Sequence, residues 1–184
     1  MHPDLSRRAL LRATVALLAT AAPPCVARGQ ARSERELRAA YLFNFLRFTE
    51  WPDTAFAGPA APIQMCVLGS VDPFDNALDA FDGRAIGTRT LRVRQGLAPA
   101  AATDCHLVYV ADADVARLTA LRQAAAALPI LIVGESEALL DRGAAIAFRP
   151  SERRLGFVVN LAAARRQELK LSSQLLRLAA EVRE

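Results

Sequence analysis

Residues able to do chemistry are few in this 184-residue chain. Its two histidines are His2 and His106, and His2 falls in an N-terminal segment that reads as a leader. His106 then stands alone, which excludes the usual histidine-rich zinc centres. As the base of a Ser-His-Asp triad it would have to sit beside an exposed nucleophile. It lies instead in an apolar run, Cys105–Val110, that reads as an inner strand, and no G-x-S-x-G elbow occurs. Neither a Walker loop nor G-x-G-x-x-G is present. His106 is read as a structural histidine, and the chain as a non-enzyme with no catalytic, cofactor-binding or metal-binding residues.

The acidic turns are more suggestive. Gly69-Ser70-Val71-Asp72, Ala111-Asp112-Ala113-Asp114 and Gly134-Glu135-Ser136 each follow a short apolar run. In open α/β sheets the carboxyl ends of strands line the ligand crevice, so their convergence would make a small-molecule or cation site. Each also precedes a helical reading, where Asp72, Asp114 and Ser136 fit N-caps, and capping accounts for most of the pattern. The pairs Arg153-Arg154 and Arg165-Arg166 read as a solvated rim that would flank an interface.

Export sets the context for these residues. Arg7, Arg8 and Arg12 precede an apolar run, Ala13–Ala22, too short for a typical membrane-spanning helix. Small-residue sites follow, so residues 1–31 read as a secretory signal peptide cleaved after Ala27 or Ala31. Ser6-Arg7-Arg8-Ala9-Leu10-Leu11-Arg12 resembles a twin-arginine signal, and the general secretory route stays open. The whole chain has 23 basic and 19 acidic residues; residues 1–31 hold four arginines and one aspartate, leaving 19 basic against 18 acidic. That near-neutral remainder lacks the clustered basic face of a nucleic-acid binder. Removing Cys25 leaves Cys66 and Cys105, an even pair in an oxidising compartment, which reads as a disulfide.

The elements that position these residues read as one α/β domain over 32–184. Ser33 and Glu36 form a capping box opening a helix to about Phe48. Tyr41, Phe43, Phe45, Phe48 and Trp51 are five of the eleven aromatics in the chain, a bulky core face from which Phe43 and Trp51 can depart. Strands read at 63–69, 90–94, 105–110, 129–133, 144–148 and 155–160. Helices read at 73–80, 115–127, 137–141 and 162–169, and Leu97–Thr103 reads as loop. This alternation predicts three layers: a mostly parallel sheet of about six strands, helices on both faces, and a C-terminal antiparallel hairpin through Pro150-Ser151. Crossover rules place the Ile63 and Cys105 strands side by side, in flavodoxin-like order. Ser172 fits the N-cap of a final helix, with Leu171 and Leu176 as a staple and Leu175, Leu178, Ala179 and Val182 on one stripe.

Five pieces, in order, carry a family resemblance. They are Ala40-Tyr41-Leu42-Phe43-Asn44-Phe45 with Trp51-Pro52; Cys66-Val67-Leu68-Gly69 with Asp72-Pro73-Phe74; Cys105-His106-Leu107-Val108-Tyr109; the Leu131–Glu135 strand end; and Phe157–Ala179. Together they resemble the YfiR family of periplasmic proteins. The resemblance implies a non-enzymatic repressor that binds the periplasmic sensing domain of an inner-membrane diguanylate cyclase, lowering cyclic di-GMP and biofilm formation. Relief would come from an outer-membrane lipoprotein or from redox damage to a disulfide. It also implies one disulfide at Cys66 and Cys105; the second pair that some relatives carry around the hairpin is absent. The C-terminal stretch, apolar with flanking charge, is the expected partner surface, with Phe157, Leu171 and Leu175 as contacts and Arg154 and Arg166 as rim. Self-association as a homodimer stays open. The alternative is a small-molecule sensor using the strand-end crevice and signalling to a membrane kinase.

Overall fold

Alternation along the central strands sorts their side chains into two cores. The computed structural model describes residues 25–126, 128–150 and 154–184. In chain order the elements are helix α1 (Cys25–Arg47), strands β1 (Thr49–Glu50), β2 (Ile63–Leu68), β3 (Ala85–Ile86), β4 (Arg89–Leu97) and β5 (Leu107–Val110), helix α2 (Val115–Ala124), strands β6 (Leu131–Gly134), β7 (Ile146–Pro150) and β8 (Leu155–Asn160), helix α3 (Leu161–Arg166), strand β9 (Lys170–Leu171), helix α4 (Ser173–Leu178) and strand β10 (Glu181–Arg183). Met65, Val67, Leu107, Tyr109, Leu131 and Val133 enter a core shared with α1, α3 and α4. Their neighbours Cys66, Leu68, Val108, Val110 and Ile132 enter the opposite core, shared with Leu118 and Leu121 of α2. Strands buried on both faces read as continuous apolar runs, as these do.

The main sheet has eight described strands in the order β10-β8-β7-β6-β5-β2-β4-β3. The block β4-β2-β5-β6-β7 is parallel throughout, which is the flavodoxin-like order, and β2 lies beside β5 with Cys66 opposite Val108. The hairpin β7–β8 is antiparallel, pairing Phe148 with Phe157 and Pro150 with Leu155; its turn, residues 151–153, lies outside the described residues. The leader segment 1–24 also lies outside them.

Several expected elements take other forms. The sheet exceeds six strands because β3 and β10 were not anticipated. One face carries three helices, while the other carries α2 plus short 3-10 turns, a thinner layer than a full helical cover. Helix α1 runs from Cys25, so Ser33 sits inside it and is not its N-cap. The segment after Asp72 is a string of turns with Asp75 and Asn76 at positive φ, and only Asp79–Phe81 is 3-10 helix. Glu137–Leu139 and Pro99–Ala102 are likewise 3-10. The final helix stops at Leu178: Ala179 takes ψ 141° and the Ala180 amide donates to the Phe157 carbonyl at 2.8 Å, starting β10. Val182 therefore belongs to a strand, parallel to β8 and opposite Val159. An uncapped β8 would expose a row of backbone donors and acceptors, and three residues of β10 cover it.

The caps that do form are local and strong. Ser172 Oγ accepts from the Leu175 amide at 3.2 Å, and Asn160 Oδ1 accepts from the Ala163 amide at 2.9 Å. Asp72 accepts from the amides of Phe74 and Asn76, both at 2.8 Å. Asp114 and Ser136 make no cap bond.

Cys66 and Cys105 are joined, with Cα atoms 6.1 Å apart at a sequence separation of 39. Closing a loop of that length constrains the unfolded chain by about 4 kcal/mol on the chain-entropy estimate. The Cys66→Ala/Cys105→Ala variant should therefore unfold at lower urea with a stability loss of up to that size. Thiol titration of denatured, unreduced protein should find no free thiol at these two positions.

Candidate functional site

Two surfaces gather polar groups around the sheet. The first is the strand-end cleft. Arg38 of α1 reaches across it, donating from Nη2 to Glu34 Oε1 at 2.8 Å and from Nη1 to Glu135 Oε1 at 3.2 Å. Glu135 Oε2 accepts from the Asp112 amide at 2.9 Å, and Ser136 Oγ donates to Asp112 Oδ1 at 2.8 Å. The turns after β5 and β6 thus do converge, as the strand-end rule expects. The turn after β2 is held differently: Gly69 has φ +97°, and a Cβ there would collide with Asp114 Oδ2. Asp114 is therefore a packing neighbour of that turn, ion-paired to Arg117 at 3.2 Å.

An open cleft of about 310 Å³ lies between Glu34, Arg35, Arg38, Pro73 and Glu135. The Arg38 guanidinium also stands over the Phe148 ring, 5.6 Å from its centroid. Arg38 Nε and the Tyr109 hydroxyl are buried and find no hydrogen-bond partner among the described residues. Burial, followed by the nearby Glu135 charge, pushes the Tyr109 phenol up, so it stays protonated. The acidic groups are consumed by backbone amides, Ser136 and arginines, and among the described residues no cluster could hold a metal ion.

The second surface is the C-terminal edge. Phe157 and Leu175 are 1% and 2% exposed, so both fold into the core and not onto a surface. Leu171 is half-buried in β9, paired to Thr49, while Arg154 and Arg166 are exposed. Leu178 (65% exposed) and Val182 (38%) are the large apolar residues that this end presents to solvent. The sequence reading assigned them to a helical stripe; strand alternation in Glu181-Val182-Arg183 was the available signal.

Beside them is an ionic cluster that sequence spacing did not reveal. Glu137 is paired with Arg149 through both its oxygens and receives Arg183 Nη2 at 2.7 Å. Glu181 receives Arg149 Nη2 at 2.6 Å and Arg183 Nε at 2.7 Å. Hydrogen bonds from Arg149 hold the Glu137 carboxyl below its usual range, and those from Arg183 and Arg149 do the same for Glu181. The two carboxylates and two guanidiniums stitch β10 to β7 and to the turn after β6.

The result is an α/β domain with polar clusters at the strand ends and along the β10 edge. The YfiR/HmsC-like family matches residues 35–180, and the chain belongs to that family, one of periplasmic regulators of cyclic di-GMP signalling. No curated protein matches the chain. Among solved structures it is similar to a conserved domain protein from Vibrio cholerae O1 biovar eltor, at 12% identity and TM-score 0.55. The match covers 81% of this chain and 60% of that one, so the likeness is one of fold. Family and disulfide together fit a periplasmic protein. Among the described residues no helix is long and apolar enough to cross a membrane.

Two outcomes follow from this geometry. Phe157→Ala should destabilise the fold by about 3–5 kcal/mol, with denaturant unfolding as the measure, since its ring is enclosed on every side. Glu137→Gln should raise hydrogen exchange at the Ala180 amide, which anchors β10, while amides of β5 keep their protection. Added salt should reproduce part of that effect in the unaltered protein, because the cluster is only partly buried.

Proposed function

We propose that this protein binds the periplasmic sensing domain of an inner-membrane diguanylate cyclase and represses it. The observation that carries this reading is the family match, which runs from α1 through α4 without interruption. Coupling across a membrane requires only that the bound protein favour one state of its partner. No catalytic group is needed for that. The proposed contact surface is the C-terminal edge, now with Leu178 and Val182 as its apolar centre in place of Phe157 and Leu175. Leu171, Arg154 and Arg166 would form its rim. An outer-membrane lipoprotein would relieve the repression by competing for the same protein.

Deleting the protein should raise cyclic di-GMP, and the deletion should be silent in a strain that also lacks the cyclase. Leu178→Asp, at a position 65% exposed, should leave folding intact and weaken capture of the cyclase's periplasmic domain. Arg166→Glu should slow association and alter its salt dependence. Unchanged capture by both folded variants would refute this placement of the surface.

A second reading, a small-molecule sensor signalling to a membrane kinase, is favoured by the strand-end cleft. Its lining residue Arg38 has a buried Nε without a partner among the described residues, a group a polar ligand would satisfy, and the buried Tyr109 hydroxyl lies behind it. Tyr109→Phe removes a buried hydroxyl without a partner and should be neutral to slightly stabilising by thermal unfolding. Under the sensor reading the same variant would lose its response to ligand.

A further inference from the structure

The opposite end of the sheet holds a second set of interactions, built around His106. Nδ1 accepts a hydrogen bond from the Gln64 amide at 3.0 Å, and Nε2 faces the Ala55 carbonyl at 3.1 Å. Only the neutral ring protonated on Nε2 can make both bonds, since a carbonyl cannot donate and an amide cannot accept. The Phe56 ring stacks on His106 with centroids 4.5 Å apart, and Arg89 covers Phe56 with its guanidinium carbon 3.5 Å from the ring centroid. Arg89 also donates to the carbonyls of Gly58 and Ala61, at 2.9 and 2.7 Å. Trp51 meets His106 edge-on at 6.1 Å, and its Nε1 is buried with no acceptor among the described residues. Segment 51–62 is thus fastened to the sheet through one imidazole and one guanidinium.

We propose that His106 is an acid-sensitive latch: protonating Nδ1 breaks the bond from Gln64 and leaves a buried imidazolium against the Phe56–Arg89 stack, and segment 51–62 lifts away to hydrate that charge, baring Trp51 and Phe56, even though Nε2 can still donate to Ala55. Three features combine to make the charged form a poor fit. The Gln64 N–H would point at a second N–H. The stack would place two cations on opposite faces of one phenyl ring. The imidazolium would also be buried, at 5% exposure. The charged groups facing His106 are Arg89 from β4 and Asp104 from the turn before β5. Asp104 works the other way, but its carboxylate is already held by Arg94 at 2.8 Å. The 3-10 turn at Asp53–Ala55 and the start of β2 present a carbonyl and an amide, and Trp51 and Phe56 present neutral rings. A cavity of about 80 Å³ is lined by His106 together with Ala55, Asp104 and Ile130. Opening would also let water pair with Trp51 Nε1, so the open state is not without compensation. The latch is independent of which partner the C-terminal edge binds.

Burial, opposed by the Ala55 hydrogen bond and reinforced by Arg89, lowers the His106 pKa from 6.5 to about 4. The neutral form is therefore the one the closed state stabilises. That stabilisation is complete above pH 6.5 and declines as pH falls from 6.5 towards 4. By linkage the open fraction should grow about 30-fold between pH 7.5 and pH 5. The experiment uses Trp51, the only tryptophan in the chain. Acrylamide quenching of its fluorescence and protection of the Gln64 amide are followed from pH 7.5 to 4.5, with far-UV circular dichroism alongside. The expected result is rising quenching and a Gln64 protection factor that drops about 30-fold by pH 5, with the dichroism unchanged. His106→Asn, whose Oδ1 can still accept from Gln64, should flatten the pH response. Arg89→Gln tests the stack without touching the histidine: quenching should start higher at pH 7.5 and then rise less on acidification. The latch is overturned if Trp51 stays equally shielded to pH 4.5 in the folded protein, if shielding is lost only together with the dichroism, or if either variant keeps the wild-type pH response.

Discussion

The structure depends on the way α1 is seated on the β7–β8 hairpin. Four rings do this. Phe45 meets Phe157 at 5.0 Å and Phe148 at 5.9 Å, while Tyr41 meets the same pair at 5.7 and 6.0 Å. The Tyr41 hydroxyl then donates to the Leu155 carbonyl at 3.1 Å, fixing the helix along the strand. Edge-on and tilted rings of this kind add directional preference to their area burial. The hairpin pairing that sets Phe148 opposite Phe157 is what presents both rings to α1. A one-residue slip in that register would turn each ring towards the α2 face. The helix, the hairpin and the parallel block are therefore a single packing problem.

Much of this was legible in the sequence because the governing periods are short. Leu155, Phe157 and Val159 alternate cleanly, and β8 spans the same residues as expected. The adjacency of β2 and β5 followed from crossover handedness alone and is found. Ser172 caps as its residue type dictates. Illegible were the places where a long-range partner outweighs local preference. Leu178, Ala179 and Val182 have helical spacing, yet the unpaired edge of β8 draws 181–183 into a strand. The stretch after Asp72 has a helix-like start, but residues at positive φ break it.

The candidate sites divide along the same line. Convergence of the turns after β5 and β6 was readable, since strand ends in a parallel sheet must meet. Arg38 was not, because its part in the cleft depends on the angle at which α1 crosses the sheet. Phe157 was misplaced, and Leu175, equally readable as core, proves to be core, for a simple reason: an apolar residue next to charge looks the same in sequence whether it faces the core or a partner. Only burial separates the two cases, and both residues are enclosed. The ion cluster of Glu137, Arg149, Glu181 and Arg183 draws on three segments far apart in sequence, and no local spacing announces it.

A regulator of this build has a constraint that an enzyme does not. Its two cores occupy both faces of the sheet, so no broad sheet face remains for a partner. A partner of the proposed kind would have to use the periphery: the edge at β10, the cleft over the strand ends, or the segment fastened by His106. Each of these is tied down by polar or ionic contacts at the margin of the packed cores. Peripheral elements held this way open at lower cost than the core. They can therefore exchange their internal partners for external ones while the aromatic seat of α1 stays fixed. A partner that pairs better with the opened form shifts the population by its differential affinity alone. Rigidity at the centre and replaceable polar contacts at the rim are thus two sides of one arrangement, and the second is where regulation has physical room to act.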